Sequence, residues 1–237
     1  MTMLYTKLAA IYDQMYRSIF DYDEQFRTAR RLLKPYHVKR ILELGCGSGN
    51  LARRFSDAGY QYTGMDIAKP MLRIARRENP QADFVHGDMR RFTTRRKFDA
   101  VLVAGRGFAY MTRNKDVLGA LTCIRAALRP KGVLVFDNFD AATIFKDLWR
   151  PQRDEVRVGK RTISRLSRRT QNLETGWTWN WSATYIVKEG RRVRTFKDRS
   201  VLRAFTRDEL ALLLALAGFS TYRFRQRQAI IHVVARL

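Results

Sequence analysis

The chain has 237 residues, 46% of them apolar and 12% aromatic, enough for a packed core and too many for a wholly disordered polypeptide. Its 46 Lys and Arg against 22 Asp and Glu leave a formal charge of +24, which points to an acidic partner or substrate, or to a basic surface habit. Two cysteines, Cys46 and Cys123, are too few for a disulfide scaffold or a multi-cysteine zinc site, no apolar run approaches the ~20 residues of a membrane helix, and the start lacks a signal-peptide pattern; the expectation is a soluble cytoplasmic protein with no bound metal.

Residues 4–34 read as helical, with Leu4, Leu8, Ile11, Met15 and Ile19 three and four apart and a second stretch running toward Pro35. Residues 40–44 form a short apolar run stopped by Gly45, the pattern of a buried parallel strand. A helix over 51–58 closes at Gly59, a strand over 61–65 ends at Asp66, and Pro70 opens a helix to Glu78. Strands follow over 83–86 and 98–104, then a helix over 114–128 and a fifth strand over 133–136. This alternation demands right-handed crossovers and a parallel sheet. It stops at residues 150–203, where only period-two patterns remain. Thr206-Arg207-Asp208-Glu209 is a capping box opening a helix through Ala217, and strands over 221–227 and 229–234 form an antiparallel pair.

The chemistry sits in Glu43-Leu44-Gly45-Cys46-Gly47-Ser48-Gly49, a glycine-rich turn between a strand and a helix. Glycines there let the backbone turn sharply and approach a ligand. Asp66, at the end of the next strand, is placed to accept both hydroxyl protons of a ribose. The spacing is not the dinucleotide fingerprint, and the Gly-Lys-Ser/Thr of a nucleoside-triphosphate loop is missing.

The run 41–49 resembles the signature of class I S-adenosylmethionine-dependent methyltransferases. The likeness extends through Gly64-Met65-Asp66-Ile67, Val85-His86-Gly87-Asp88-Met89, Phe98-Asp99-Ala100-Val101, Leu128-Arg129-Pro130-Lys131-Gly132 and Ala217-Gly218-Phe219. It is greatest toward members acting on amines and amino sugars. The resemblance implies an α/β, Rossmann-like, doubly wound seven-stranded sheet with a reversed last strand. Four parts follow: an N-terminal helical cap (1–38), a cofactor-binding core (39–148), an antiparallel β insertion (149–203) and completion of the sheet (204–237). It also implies that Glu43, Gly45, Cys46, Gly47 and Gly49 hold the methionine part of the cofactor. Asp66 would bind the ribose, Ile67 and Met71 would pack near the adenine, and Asp88 would accept from its amino group with Met89 alongside. Ala104 and Gly105 would floor the reaction centre. Tyr12 is similar in position to a cofactor-capping tyrosine and reads equally well as a core aromatic.

Methyl transfer from a sulfonium needs an acceptor lone pair in line and water excluded, so no catalytic residue is forced by the sequence. Asp137, Asn138 and Asp140, after the fifth strand, and Arg106 and Tyr110, after the fourth, are placed to touch an acceptor. His86 reads as a buried structural histidine. In the insertion Trp177, Trp179, Trp181, Tyr185 and Val187 share one face of a strand, and 15 basic side chains against 5 acidic ones crowd residues 150–203. Three readings stand: packing onto the domain or a second subunit, giving a homodimer; an acceptor pocket; or, with the arginines, a stacking-and-phosphate surface for RNA. Motifs for methylating base amines or for a Pro-Cys nucleophile are missing. The expectation is N- or O-methylation of a small-molecule acceptor, ahead of an RNA methyltransferase or a non-catalytic cofactor-binding partner.

Overall fold

A computed structural model describes residues 2–146 and 148–237. The predicted N-terminal helix forms as two, α1 (Ala9–Ile19) and α2 (Tyr22–Leu33), behind a 3-10 turn at Met3–Tyr5. The break falls at Asp21, whose carboxylate accepts the Glu24 N–H at 2.8 Å and caps the second helix. β1 (Arg40–Leu44), α3 (Ala52–Asp57), β2 (Gln61–Asp66), α4 (Lys69–Glu78), β3 (Asp83–His86), β4 (Phe98–Val103), α5 (Asn114–Ala127) and β5 (Leu128–Phe139) then alternate as expected. β5 is longer than its apolar run, because its pairing with a later strand continues from Val133 to Phe139. Asp137 and Asn138 therefore lie within this strand instead of after it. Asp140 follows it and caps the short α6 (Ala141–Ile144), accepting the Thr143 N–H at 2.9 Å.

The insertion is a four-stranded antiparallel meander of β6 (Gln152–Val158), β7 (Arg161–Gln171), β8 (Thr178–Glu189) and β9 (Arg192–Arg203). The chain then returns through α7 (Arg207–Leu216) to β10 (Thr221–Arg227) and β11 (Ile230–Arg236). The main sheet has the order β10-β11-β5-β4-β1-β2-β3, with β11 antiparallel to both its neighbours. Its central strands carry unbroken apolar runs, such as Ala100 to Val103, because helices cover both faces. α5 and α7 pack on one face and α2 and α3 on the other.

β3 is an edge strand with only Phe84 half-covered, and this overturns the reading of His86 as buried. The imidazole is exposed, with Nε2 3.1 Å from the Ile67 carbonyl oxygen. The aromatic face of β8 does form, with Trp179, Ala183, Tyr185 and Val187 buried and Trp181 half-buried. Much of it packs within the chain against Leu4, Leu8, Met15 and Tyr16 of the N-terminal cap. Trp177 does not belong to it: it precedes the strand, is 41% exposed and meets Phe145 edge-on. The Asp198 carboxylate of β9 ties the cap down by accepting the Met3 N–H at 2.9 Å and the Leu4 N–H at 3.4 Å.

At α7 the capping box closes in both directions, Glu209 N–H to Thr206 Oγ1 at 3.2 Å and Thr206 N–H to Glu209 Oε2 at 2.8 Å. Thr206→Ala removes one half and should cost about 1 kcal/mol in urea unfolding; an unchanged midpoint would show the cap to be idle.

Candidate active site

At the carboxyl edge of the main sheet, the backbone after β1 turns through Gly45 (φ +72°) and Gly47 (φ +55°), conformations that side chains resist. The Gly45 and Cys46 N–H groups donate to the Met65 carbonyl at 2.7 and 3.1 Å, tying the turn to β2. The Gly47 N–H donates to Asp66 Oδ2 at 2.8 Å, and the Ala68 N–H to Oδ1 at 2.7 Å. A carboxylate oxygen offers two acceptor sites, so each oxygen of Asp66 retains one for a ligand. Burial pushes the Asp66 carboxyl above its ordinary range, against the pull of these N–H groups.

Glu43 stands beneath the turn, 4% exposed, accepting a short hydrogen bond from the Tyr62 hydroxyl. Burial raises its carboxyl to about 7, and the charges of Asp66 and Asp137 act in the same direction. Burial also pushes the Cys46 thiol up, so it is a neutral wall of the site and no nucleophile. Asp88, after β3, is gripped by Arg90 (Nη2 to Oδ2 2.7 Å, Nε to Oδ1 2.9 Å) and neighboured by Arg91, and the Arg90 hydrogen bonds hold its carboxyl below the usual range. Its acceptor capacity is largely spent inside the protein.

These groups open on one cavity of about 1260 Å³. Of the predicted cofactor residues Tyr12, Glu43, Gly45, Cys46, Gly47, Asp66, Ile67, Met71, Asp88, Met89, Ala104 and Gly105 line it. Nothing lies within 4 Å of where a Cβ on Gly105 would stand, so bare backbone bounds the open space there. Gly49 does not line it; a Cβ at Gly49 would press on Asn79, Ala75 and Phe84, which makes it a packing glycine between α3 and α4. Tyr12 is stacked on Tyr16 at 4.1 Å and edge-on to Tyr5 at 5.2 Å, so it is both a packed aromatic and a wall of the cavity.

Of the predicted acceptor residues, Arg106, Tyr110, Trp179 and Trp181 line the same cavity, whereas Asp137, Asn138 and Trp177 do not. Asn138 is fully buried and hydrogen-bonds the next backbone N–H, Phe139, at 2.8 Å. Asp137 acts one step back, accepting the N–H of Arg106 at 2.5 Å and holding that residue in a left-handed conformation (φ +64°). The Arg106 guanidinium lies over Phe20 and Phe139, 5.1 and 5.3 Å from their ring centres. Sequence reasoning missed Tyr5, Tyr16, Phe20, Asp154 and Arg199, which complete the walls together with Arg165, one of the arginines read as a phosphate surface for RNA. The spacing of Tyr12, Tyr16 and Phe20, four apart on one helical face, was the available signal for the first group.

The chain matches the methyltransferase domain family over residues 41–132. It is 26% identical to the dTDP-3-amino-3,6-dideoxy-α-D-glucopyranose N,N-dimethyltransferase of Streptomyces fradiae over 226 residues, 90% of this chain and 84% of that one. A Bacillus subtilis relative is 30% identical over 160 residues, and the aligned part is 64% of its length. Among solved structures, DesVI of Streptomyces venezuelae superposes with a TM-score of 0.87 at 25% identity, covering 96% of this chain and 97% of that one. CalS10 of Micromonospora echinaspora, an amino pentose methyltransferase solved with S-adenosylmethionine bound, superposes at 0.80 with 26% identity, covering 96% and 97% of the two chains.

The chain carries a methyltransferase domain and is an S-adenosylmethionine-dependent methyltransferase. The cofactor of this methyltransferase is S-adenosylmethionine. The donor set suits that molecule chemically: a buried carboxyl for an ammonium, a carboxylate with free acceptor sites for a diol, and apolar side chains for a purine face. Among the described residues no helix is long and apolar enough to cross a membrane.

Because Glu43 holds its proton to about 7 in the fold, against 4.5 ordinarily, the ligand-free methyltransferase should lose stability as pH rises from about 4.5 through 7. The full loss is on the order of 3 kcal/mol. Glu43→Gln, whose amide oxygen still accepts from Tyr62, should lack this component in denaturant unfolding at a series of pH values; parallel pH profiles for both proteins would contradict the assignment.

Proposed function

We propose that this methyltransferase transfers a methyl group to the amine nitrogen of a sugar-sized acceptor that carries negative charge elsewhere. The observation that carries this reading is the composition of this cavity. From the acidic cradle of Glu43 and Asp66 it continues to an end walled by Trp179 and Trp181 and by Arg106, Arg165 and Arg199, where Asp154 is the carboxylate among the lining residues. Arg165 is bound to Asp154 and to the Tyr16 hydroxyl (2.5 Å), which fixes its position. Aromatic faces suit the apolar face of a sugar ring, and the excess of guanidinium suits an anionic tail such as a phosphate. The Streptomyces fradiae relative is named for a dTDP-linked amino sugar, which has both features, an amine and a diphosphate.

Bound S-adenosylmethionine supplies a methyl already activated by its sulfonium. Glu43 would pair with the ammonium, Asp66 with the ribose hydroxyls, and Ile67, Met71 and Met89 would enclose the adenine. The acceptor nitrogen must present a free lone pair. The positive field of Arg106 disfavours an ammonium nearby and so keeps the amine neutral. The acceptor nitrogen would take the methyl carbon released by the cofactor's sulfur, and its spare proton would pass to solvent. Tyr12, Tyr5 and Phe20 wall the centre and keep bulk water from it.

The RNA reading is not favoured. A stacking platform needs exposed ring faces, yet Trp179 and Tyr185 are 1% and 0% exposed and packed inside the chain.

Incubating the methyltransferase with S-adenosylmethionine and a panel of amines should give methylated product by mass spectrometry from nucleoside-diphosphate amino sugars, and less from the same sugars without the diphosphate. Arg199→Gln should raise the acceptor KM about ten-fold without changing cofactor affinity. Cofactor binding with no amine methylated anywhere in the panel would refute the proposal. For the cofactor, Asp66→Ala should weaken binding about fifty-fold or more, and Asp88→Ala only a few-fold, because Arg90 already occupies that carboxylate. Calorimetry giving the reverse order would reverse the two roles. Affinity should also fall about ten-fold per pH unit below about 7 as Glu43 takes up its proton, a slope that Glu43→Gln removes.

A further inference from the structure

A second cavity, of about 410 Å³, lies at the opposite edge of the main sheet, where the parallel strands begin. His37 enters it from the turn before β1, Lys131 from the start of β5, Arg223 from β10 and Arg236 from the end of β11, which pairs there with Val133 of β5. Four basic side chains from four separate elements thus face one space. None of them makes an ion pair with a carboxylate among the described residues, and the Nε of Arg236 is buried without a hydrogen-bond partner. At the same edge Arg129 behaves in the ordinary way, bound to Asp99 at 2.8 Å. His37 (φ +45°) and Lys131 (φ +65°) are both non-glycine residues held in the left-handed conformation, which is itself costly.

Like charges gathered without counter-charge repel one another and destabilise a fold unless an anion joins them. We infer that this cavity is a binding site for a small diphosphate-class anion, separate from the cofactor and acceptor cavity. Two guanidiniums and an ammonium on different elements match a compact group with several charged oxygens better than a single carboxylate, because each fork can take a different pair of oxygens. The Arg236 guanidinium is backed by the Tyr36 ring, 5.4 Å from its centre, which orients it. The two cavities stand at opposite ends of β11: Ile230 lines the first and Arg236 the second. An anion here therefore would not compete with the methyl acceptor.

The test is calorimetric titration of the full-length protein, saturated with S-adenosylhomocysteine, with inorganic pyrophosphate and separately with a nucleoside diphosphate. A saturable component should appear that Lys131→Gln/Arg223→Gln, two exposed positions, weakens about ten-fold while S-adenosylhomocysteine affinity is unchanged. Arg165→Gln/Arg199→Gln, in the first cavity, should leave that component intact. Equal affinity for the two titrants identifies the diphosphate group alone as the ligand; tighter nucleoside diphosphate binding adds a contact of the base with Pro35 or Tyr36. The inference is overturned if no component responds to Lys131→Gln/Arg223→Gln, or if Arg53→Gln/Arg77→Gln, on a distant surface, weakens it as much, since that would mean general attraction to a +24 chain.

Discussion

The arrangement turns on the Asp66 carboxylate. It ends β2, yet it holds the N–H of Gly47 from the turn after β1 and the N–H of Ala68 at the start of α4. One side chain thereby joins two strands and two loops at the carboxyl edge of the sheet. It does so under burial that would otherwise drive it toward the neutral form. The glycines at 45 and 47 are the complement of this demand, since their left-handed turns bring the backbone donors within reach. Glu43 sits one layer deeper, its proton balanced near 7 between desolvation and the Tyr62 hydroxyl, so the pocket floor is poised to become charged when a cation arrives.

Against this rigid edge the N-terminal cap and the insertion close the other walls. Neither would hold its place alone: α1 buries Met15 and Tyr16 on β7 and β8, and β9 answers by binding the backbone of Met3 and Leu4 through Asp198. The strong basic bias of the insertion is only partly surface habit. Arg165 is turned inward and satisfied by Asp154 and Tyr16, whereas Arg199 lines the cavity with no carboxylate partner among the described residues. In the proposed reading, Glu43 and Asp66 serve the cationic cofactor while Arg106 and Arg199 serve an anionic acceptor within the same cavity.

The periodicities of β1 to β5 and their helices were plain in the amino-acid order, because a strand buried on both faces must be continuously apolar and a helix on a sheet must be apolar on one side. The Gly45-Cys46-Gly47 turn, Asp66 and the capping box at Thr206 were equally legible, being local devices whose partners lie within a few residues or on the adjoining strand. Less was visible wherever a residue's fate depends on which strand lies at an edge. His86 looked buried in an apolar stretch and is exposed, since β3 has no neighbour beyond it.

The sequence by itself determined the alternating sheet, the glycine turn and the carboxylates at the strand ends, because each follows from local geometry and short-range hydrogen bonding. Only the tertiary structure decided that Arg90 would occupy Asp88, that Asp137 would hold Arg106 instead of facing a ligand, and that Gly49 would serve packing. It also gathered His37, Lys131, Arg223 and Arg236, up to 199 positions apart in the chain, at one edge. Such pairings are made across strands and loops distant in order, where spacing along the chain carries no information about distance in space.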